Sequence, residues 1–140
     1  MTKHMDFSQL QAQAVISRGD AGLRAYLSGA SAEAGVVKAY AERNADLLEQ
    51  RWRGEGGEGG EIDLILREGD TIVFVEVKKA RSFDQAIARL RPTQMMRIHA
   101  AASAYLAFTP EGQLSNVRFD LAAVDGTGQI RIIENAFGHF

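Results

Sequence analysis

The stretch Gly60-Glu61-Ile62-Asp63-Leu64-Ile65-Leu66-Arg67-Glu68-Gly69-Asp70-Thr71-Ile72-Val73-Phe74-Val75-Glu76-Val77-Lys78 decides how this chain folds. Two runs of apolar and β-branched residues flank Gly69-Asp70, a dipeptide suited to a two-residue type II′ loop with glycine at its first central position. If those two residues form the loop, Glu68 faces Thr71, and Asp63 falls directly opposite Glu76. Facing residues in an antiparallel pair share one face, with Cβ atoms about 4.5–5.5 Å apart. Lys78 lies two residues beyond Glu76, so the strand period puts it on that face too. Two carboxylates and an ammonium thus converge inside otherwise apolar strands. Buried charges must be paired or bind metal, so the convergence marks a candidate site. The bland alternative is an Asp63–Lys78 ion pair bracing the hairpin, with Glu76 solvated at a sheet edge. Against it, Glu76 follows five apolar or β-branched residues, the composition of a central strand.

Outward from the hairpin, the segment 78–100 carries Lys78, Lys79, Arg81, Arg89, Arg91 and Arg97 against a single Asp84. A basic segment beside a carboxylate cluster suits a phosphate backbone, although a solvated helix face gives the same pattern. The net charge of −2 argues against a protein that coats nucleic acid indiscriminately. Ahead of the hairpin, Gly54-Glu55-Gly56-Gly57-Glu58-Gly59-Gly60 has no periodic apolar pattern and reads as a mobile connector. It leads into a strand and lacks the glycine fingerprint of a phosphate loop that opens a helix.

The spacing of Ala32, Val36, Val37, Tyr40, Ala41 and Leu47 predicts a helix from Ser31 to about Leu48, with Ser31 as its N-cap. Leu47 to Trp52 reads as a first strand. Ala80 to Arg91 reads as a loop with a short helix. Pro92 then opens a longer helix, with Met95, Met96, Ile98, Ala102, Tyr105 and Leu106 on its apolar side, up to about Phe108. Val117 to Val124 and Ile130 to Glu134 read as strands around a turn at 125–128. The first 28 residues read as a partly ordered arm ahead of one domain over 29–140. No apolar run reaches the roughly 18 residues of a membrane span, and the N-terminus has no secretory pattern. The absence of cysteine excludes disulfides and thiolate metal sites and suits a cytoplasmic protein. His4, His99 and His139 show no ligand spacing, and Ser82, Ser103 and Ser115 lack a nucleophile context.

Helix, hairpin bearing Asp then Glu-x-Lys, helix and strand make up the restriction-endonuclease-like core with its PD-(D/E)xK signature. More closely, the chain resembles the YraN-type family of bacterial proteins assigned to that fold. The resemblance rests on the blocks Gly60 to Ile65 and Val73 to Lys78, with Tyr105-Leu106, Arg118-Phe119-Asp120 and Asn135-Ala136-Phe137 in support. It covers residue 30 to the C-terminus and implies an α/β domain with a mixed central sheet of about four or five strands flanked by helices. It also implies a nuclease site in which Asp63, Glu76 and the main-chain oxygen of Val77 hold Mg²⁺ or Mn²⁺. Lys78 would orient or help deprotonate the attacking water, and Glu33 matches the family's first-helix glutamate. Lys79, Arg81, Arg89, Arg91, Gln94 and Arg97 would contact DNA, with RNA not excluded. Many members carry lysine where this chain has Gln94, which can hydrogen-bond but lacks the charge.

Three functions follow as expectations. The first is a metal-dependent nuclease acting on DNA, including structured or branched DNA. The second is a nucleic-acid-binding module that keeps the fold without turnover. The third is a scaffold that dimerises through the Met95/Met96 helix.

Overall fold

The hairpin forms as the turn chemistry dictates. In the computed structural model, which describes residues 21–55 and 59–138, β2 (Ile62–Glu68) and β3 (Thr71–Lys79) are antiparallel, with Glu68 opposite Thr71. Gly69 sits at φ +63°, in open space, while Asp70 keeps a negative φ, as a type II′ loop requires.

β1 (Ala45–Trp52) pairs antiparallel with β2 and ends with Trp52 opposite Ile62; a bulge interrupts the register between Leu47 and Glu49. β4 (Asn116–Val124) runs parallel to β3, and β5 (Ile130–Ile133) closes the sheet antiparallel to β4. The strand order is β1-β2-β3-β4-β5, so the chain makes a mixed five-stranded sheet with β3 at its centre. A parallel pair needs a crossover, and helices α2 (Phe83–Ala88) and α3 (Pro92–Leu106) supply it. Ser82 caps α2 by accepting from the Gln85 amide at 3.2 Å. Pro92 opens α3 after an extended Arg91, the conformation that a following proline favours.

Each sheet face has its own apolar layer. Helix α1 (Ala21–Ala41) lays Ala32, Val36 and Tyr40, four residues apart, on Leu64, Leu66, Val73, Val75, Ala122 and Val124. On the other face Ile98, Ala101, Ala102 and Leu106 of α3 meet Ile62, Ile65, Phe74, Phe119 and Leu121. Burying each large side chain of this kind contributes roughly 1.5–3 kcal/mol. Helices thus flank a mixed sheet in a single domain, as expected.

Some boundaries differ from those read in the sequence. The first helix begins at Ala21, so Ser31 lies within it and is not an N-cap. It stops at Ala41 rather than near Leu48, because Asn44 takes a left-handed φ of +64° and β1 begins at Ala45. Glu33 is consequently a mid-helix residue, beyond reach of the N-terminal dipole. The expected arm falls largely outside the described residues, as does the centre of the glycine-rich connector. The connector's far end is seated: the Gly60 amide donates to the Arg97 carbonyl at 3.2 Å.

Candidate metal centre

The site starts where the β2–β3 ladder stops. The paired register runs from Glu68/Thr71 to Leu64/Val75 and no further. Ile62 and Leu64 belong to opposite apolar layers, although residues two apart in a regular strand share a face. The strand therefore turns about its axis at Asp63. There the Asp63 carboxylate, not a backbone carbonyl, accepts the Val77 amide, at 2.8 Å. Strand rotation and this bond fix Asp63 beside Glu76.

Glu76 is only 3% exposed, in the middle of the central strand. Its Oε2 accepts from Gln94 Nε2 of α3 at 2.6 Å and lies 3.2 Å from Lys78 Nζ. Its Oε1 is buried and has no hydrogen-bond partner. Burial raises the Asp63 pKa against the opposing pull of the Val77 amide. Burial, then the neighbouring Asp63 charge, pushes Glu76 up to about 8, with Lys78 opposing. The cause is plain: two carboxylates share a dry site with one ammonium, so one negative charge is uncompensated.

Glu33 approaches this pair from α1. Its Oε1 lies 3.2 Å from Arg51 Nη2, and burial followed by the Asp63 charge raises its pKa. It does not complete a cluster: among the described residues no three Asp, Glu, His or Cys side chains come together to hold a metal. The donor set is therefore two carboxylates. That fits Mg²⁺ or Mn²⁺, hard cations usually held by one or two carboxylates, with waters and substrate phosphate completing the shell. The orphaned Glu76 Oε1 and the uncompensated charge are what such an ion would satisfy. Val77 commits its amide to Asp63, and its side chain packs on the α1 face.

The basic residues divide. Lys79 points to the α1 face, where its Nζ donates to Ser28 Oγ at 2.7 Å. Arg89 is exposed and donates to the Lys79 carbonyl at 2.7 Å. Arg81, Arg91 and Arg97 are exposed along the crossover. Gln94, expected at phosphate, instead touches the Glu76 carboxylate, and it is the one residue of that group bonded to the pair.

A second polar cluster escaped the sequence reading. Asp120, fully buried, accepts from Tyr40 Oη at 2.7 Å, from the Arg118 guanidinium at 2.9 and 3.0 Å, and from the Asn135 amide at 2.9 Å. Arg118 also reaches Glu68 at 2.8 Å, and Arg43 joins Glu68 to Glu134. The cluster ties the end of α1 to β2, β4 and the segment after β5. The only sequence signal for it was three acids and two arginines, far apart in the chain, on or beside strands and a helix end that meet in the fold.

The family model described as Uncharacterised protein family UPF0102 matches residues 32–124, which contain Glu33, both strands of the hairpin and α3. A UPF0102 protein of Ruegeria pomeroyi is 52% identical over 118 residues, covering 84% of this chain and 94% of its own length. UPF0102 proteins of Roseobacter denitrificans and Dinoroseobacter shibae are 47% and 48% identical, over 86% and 81% of this chain and 91% and 83% of their own lengths. The match spans most of the domain that carries the carboxylate pair, and the chain belongs to the UPF0102 family.

Proposed function

We propose that this protein is a metal-dependent nuclease that hydrolyses phosphodiester bonds in DNA, acting in the cytoplasm. The observation that carries the reading is the Asp63–Glu76 pair, Glu76 buried and Asp63 half-buried, with Glu76 Oε1 unpartnered and Lys78 Nζ 3.2 Å from Oε2. Asp63 and Glu76 would hold Mg²⁺ or Mn²⁺ with the main-chain oxygen of Val77. A cation bound there lowers the pKa of a water and offsets charge on the phosphate. Lys78, on the same face, is placed to orient that water or to hold a phosphate oxygen. Gln94 keeps the Glu76 carboxylate turned toward Lys78, and Glu33 with Arg51 adds charge at the rim. Arg81, Arg89, Arg91 and Arg97 are available to a phosphate backbone, while the Lys79 ammonium serves the α1 face.

The test is cleavage of linear, single-stranded and branched DNA, and of RNA, in Mg²⁺ or Mn²⁺. Wild type is expected to cut, and Asp63→Ala and Lys78→Ala to lose at least a hundredfold. Cutting that survives both substitutions removes the assignment.

The two-carboxylate donor set, with glutamine at 94, favours a second reading: a nucleic-acid-binding module without turnover. It predicts salt-dependent binding that falls in an Arg89→Ala, Arg91→Ala, Arg97→Ala triple variant, with no cleavage in any metal. Met96 on α3, 60% exposed, offers a contact for a second copy of the chain.

A further inference from the structure

A cavity of about 470 Å³ opens beside β1, the edge strand, between the end of that strand and the last turn of α3. Its walls include Trp52, Tyr105 and Phe108, with Arg53, Glu49 and Glu55 at polar positions. Trp52 and Tyr105 meet edge to face, ring centres 5.3 Å apart at 87°, and Tyr105 meets Phe74 of the core at 6.0 Å and 84°. Two walls are thus braced by the core, whereas Phe108 stands 76% exposed. A large exposed aromatic beside two fixed ones is a poor arrangement for a surface that meets only water. The volume falls in the range of small-ligand pockets, roughly 300–1,000 Å³.

The position of the cavity is informative. Trp52 is the cross-strand partner of Ile62, the residue before Asp63. Arg53 Nε lies 3.3 Å from Glu61 Oε2, two residues before Asp63. The cavity thus lies toward the β1 edge, across the β1–β2 ladder from the residue that precedes Asp63.

We propose that the cavity receives one unpaired nucleobase of the strand bound at the carboxylate pair. The proposal rests on the nuclease or nucleic-acid-binding reading of that pair. Aromatic faces stack any base, and Arg53, mostly exposed at the rim, suits the adjoining phosphate. Glu49 and Glu55 repel a phosphate but accept from exocyclic amines, as carboxylates do from cytosine N4. The pocket therefore prefers cytosine to thymine. A peptide would satisfy the aromatic walls but gives no use for the adjoining site.

Trp52 is the single tryptophan of the chain, so intrinsic fluorescence reports on the cavity. The full-length protein is titrated in EDTA with short oligo(dC), oligo(dT), an abasic sugar–phosphate oligomer, heparin and an aromatic hexapeptide. Oligo(dC) is expected to quench saturably and to bind more tightly than oligo(dT). The abasic oligomer should bind about tenfold more weakly than oligo(dC), as loss of one stacked base implies. Phe108→Ala, at an exposed position, should weaken oligo(dC) by a similar factor and leave the abasic oligomer unchanged. Equal affinity for oligo(dC) and the abasic oligomer overturns the proposal. So does quenching led by heparin or the hexapeptide, or indifference to Phe108→Ala. Without metal no cleavage is needed, so the two readings separate. Base-dependent quenching in a protein that never cuts removes turnover and keeps the pocket, whereas cutting with base-blind binding removes the pocket alone.

Discussion

The Val77 main-chain amide donates to Asp63 Oδ2 across 2.8 Å, in place of the backbone carbonyl that regular pairing would offer. A side chain thus closes the hairpin ladder, and that is what holds a carboxylate beside Glu76 without burying an unpaired amide.

The juxtaposition makes the metal-free protein sensitive to pH. Glu76 is raised from 4.5 to about 8, and Asp63 is raised as well, so the folded state holds protons that the unfolded chain has released. The contribution of Glu76 to stability is then complete below the unfolded value of 4.5 and is lost as pH rises through about 8. Thermal melts in EDTA should show Tm falling between those limits, and Glu76→Gln should flatten the slope. Mn²⁺ should raise Tm more at pH 8 than at pH 5. A Tm that rises with pH across this window contradicts the charge balance described.

Gln94→Ala removes the 2.6 Å bond to Glu76 Oε2 from a half-buried position. Loss of a residue that orients a ligand typically costs roughly 10–100-fold in metal affinity or activity. Mn²⁺ affinity and the cleavage rate should fall in that range with little change in melting temperature. Gln94→Lys should keep a contact to Glu76 and lower its pKa, but its ammonium competes with the cation as that of Lys78 does, so Mn²⁺ affinity should not recover.

Asp120→Ala leaves the Tyr40 hydroxyl and the Asn135 amide without their acceptor, while Arg118 keeps its contact with Glu68. Each donor left unsatisfied costs about 1–3 kcal/mol. Tyr40→Phe, which removes one hydrogen bond to a charged acceptor, should cost about 1.5–3 kcal/mol. Urea unfolding measures both, and metal affinity of the folded fraction should not change. A strong loss of metal binding in Tyr40→Phe would join this cluster to the carboxylate site.

Gly59 has φ +77°, and a Cβ there would lie 3.0 Å from the Ala101 amide nitrogen and 3.1 Å from the Arg97 carbonyl oxygen. Both neighbours are helix backbone and cannot yield cheaply. Gly59→Ala should destabilise by about 1–3 kcal/mol in urea unfolding, by strain at that φ and by lifting the connector off α3.

The sheet was legible where local chemistry dictates it. Gly69-Asp70 suits a type II′ loop, and that loop sets the register from Glu68/Thr71 to Leu64/Val75; Pro92 fits the first turn of a helix. What local pattern could not reach was interaction across long separations. Tyr40 and Asp120 are 80 residues apart, and nothing in the periodicity around either announces their bond. Gln94 read as a phosphate contact because its sequence neighbours are basic, yet the crossover brings α3 down on Glu76, 18 residues earlier. The helix start at Ala21 went unread although Leu23, Tyr26, Leu27 and Ala30 have helical spacing, because Ser31 offered a competing N-cap.

Mn²⁺ binding to the full-length protein, followed by the electron paramagnetic resonance of the free ion, decides whether Asp63 and Glu76 hold a metal. Wild type should take up one ion per chain. Lys78→Ala should retain it, because the ammonium competes with the cation, and the Asp63→Asn, Glu76→Gln double variant should lose it while remaining folded. Binding that persists in the double variant, or no binding by wild type at neutral pH, would contradict the account.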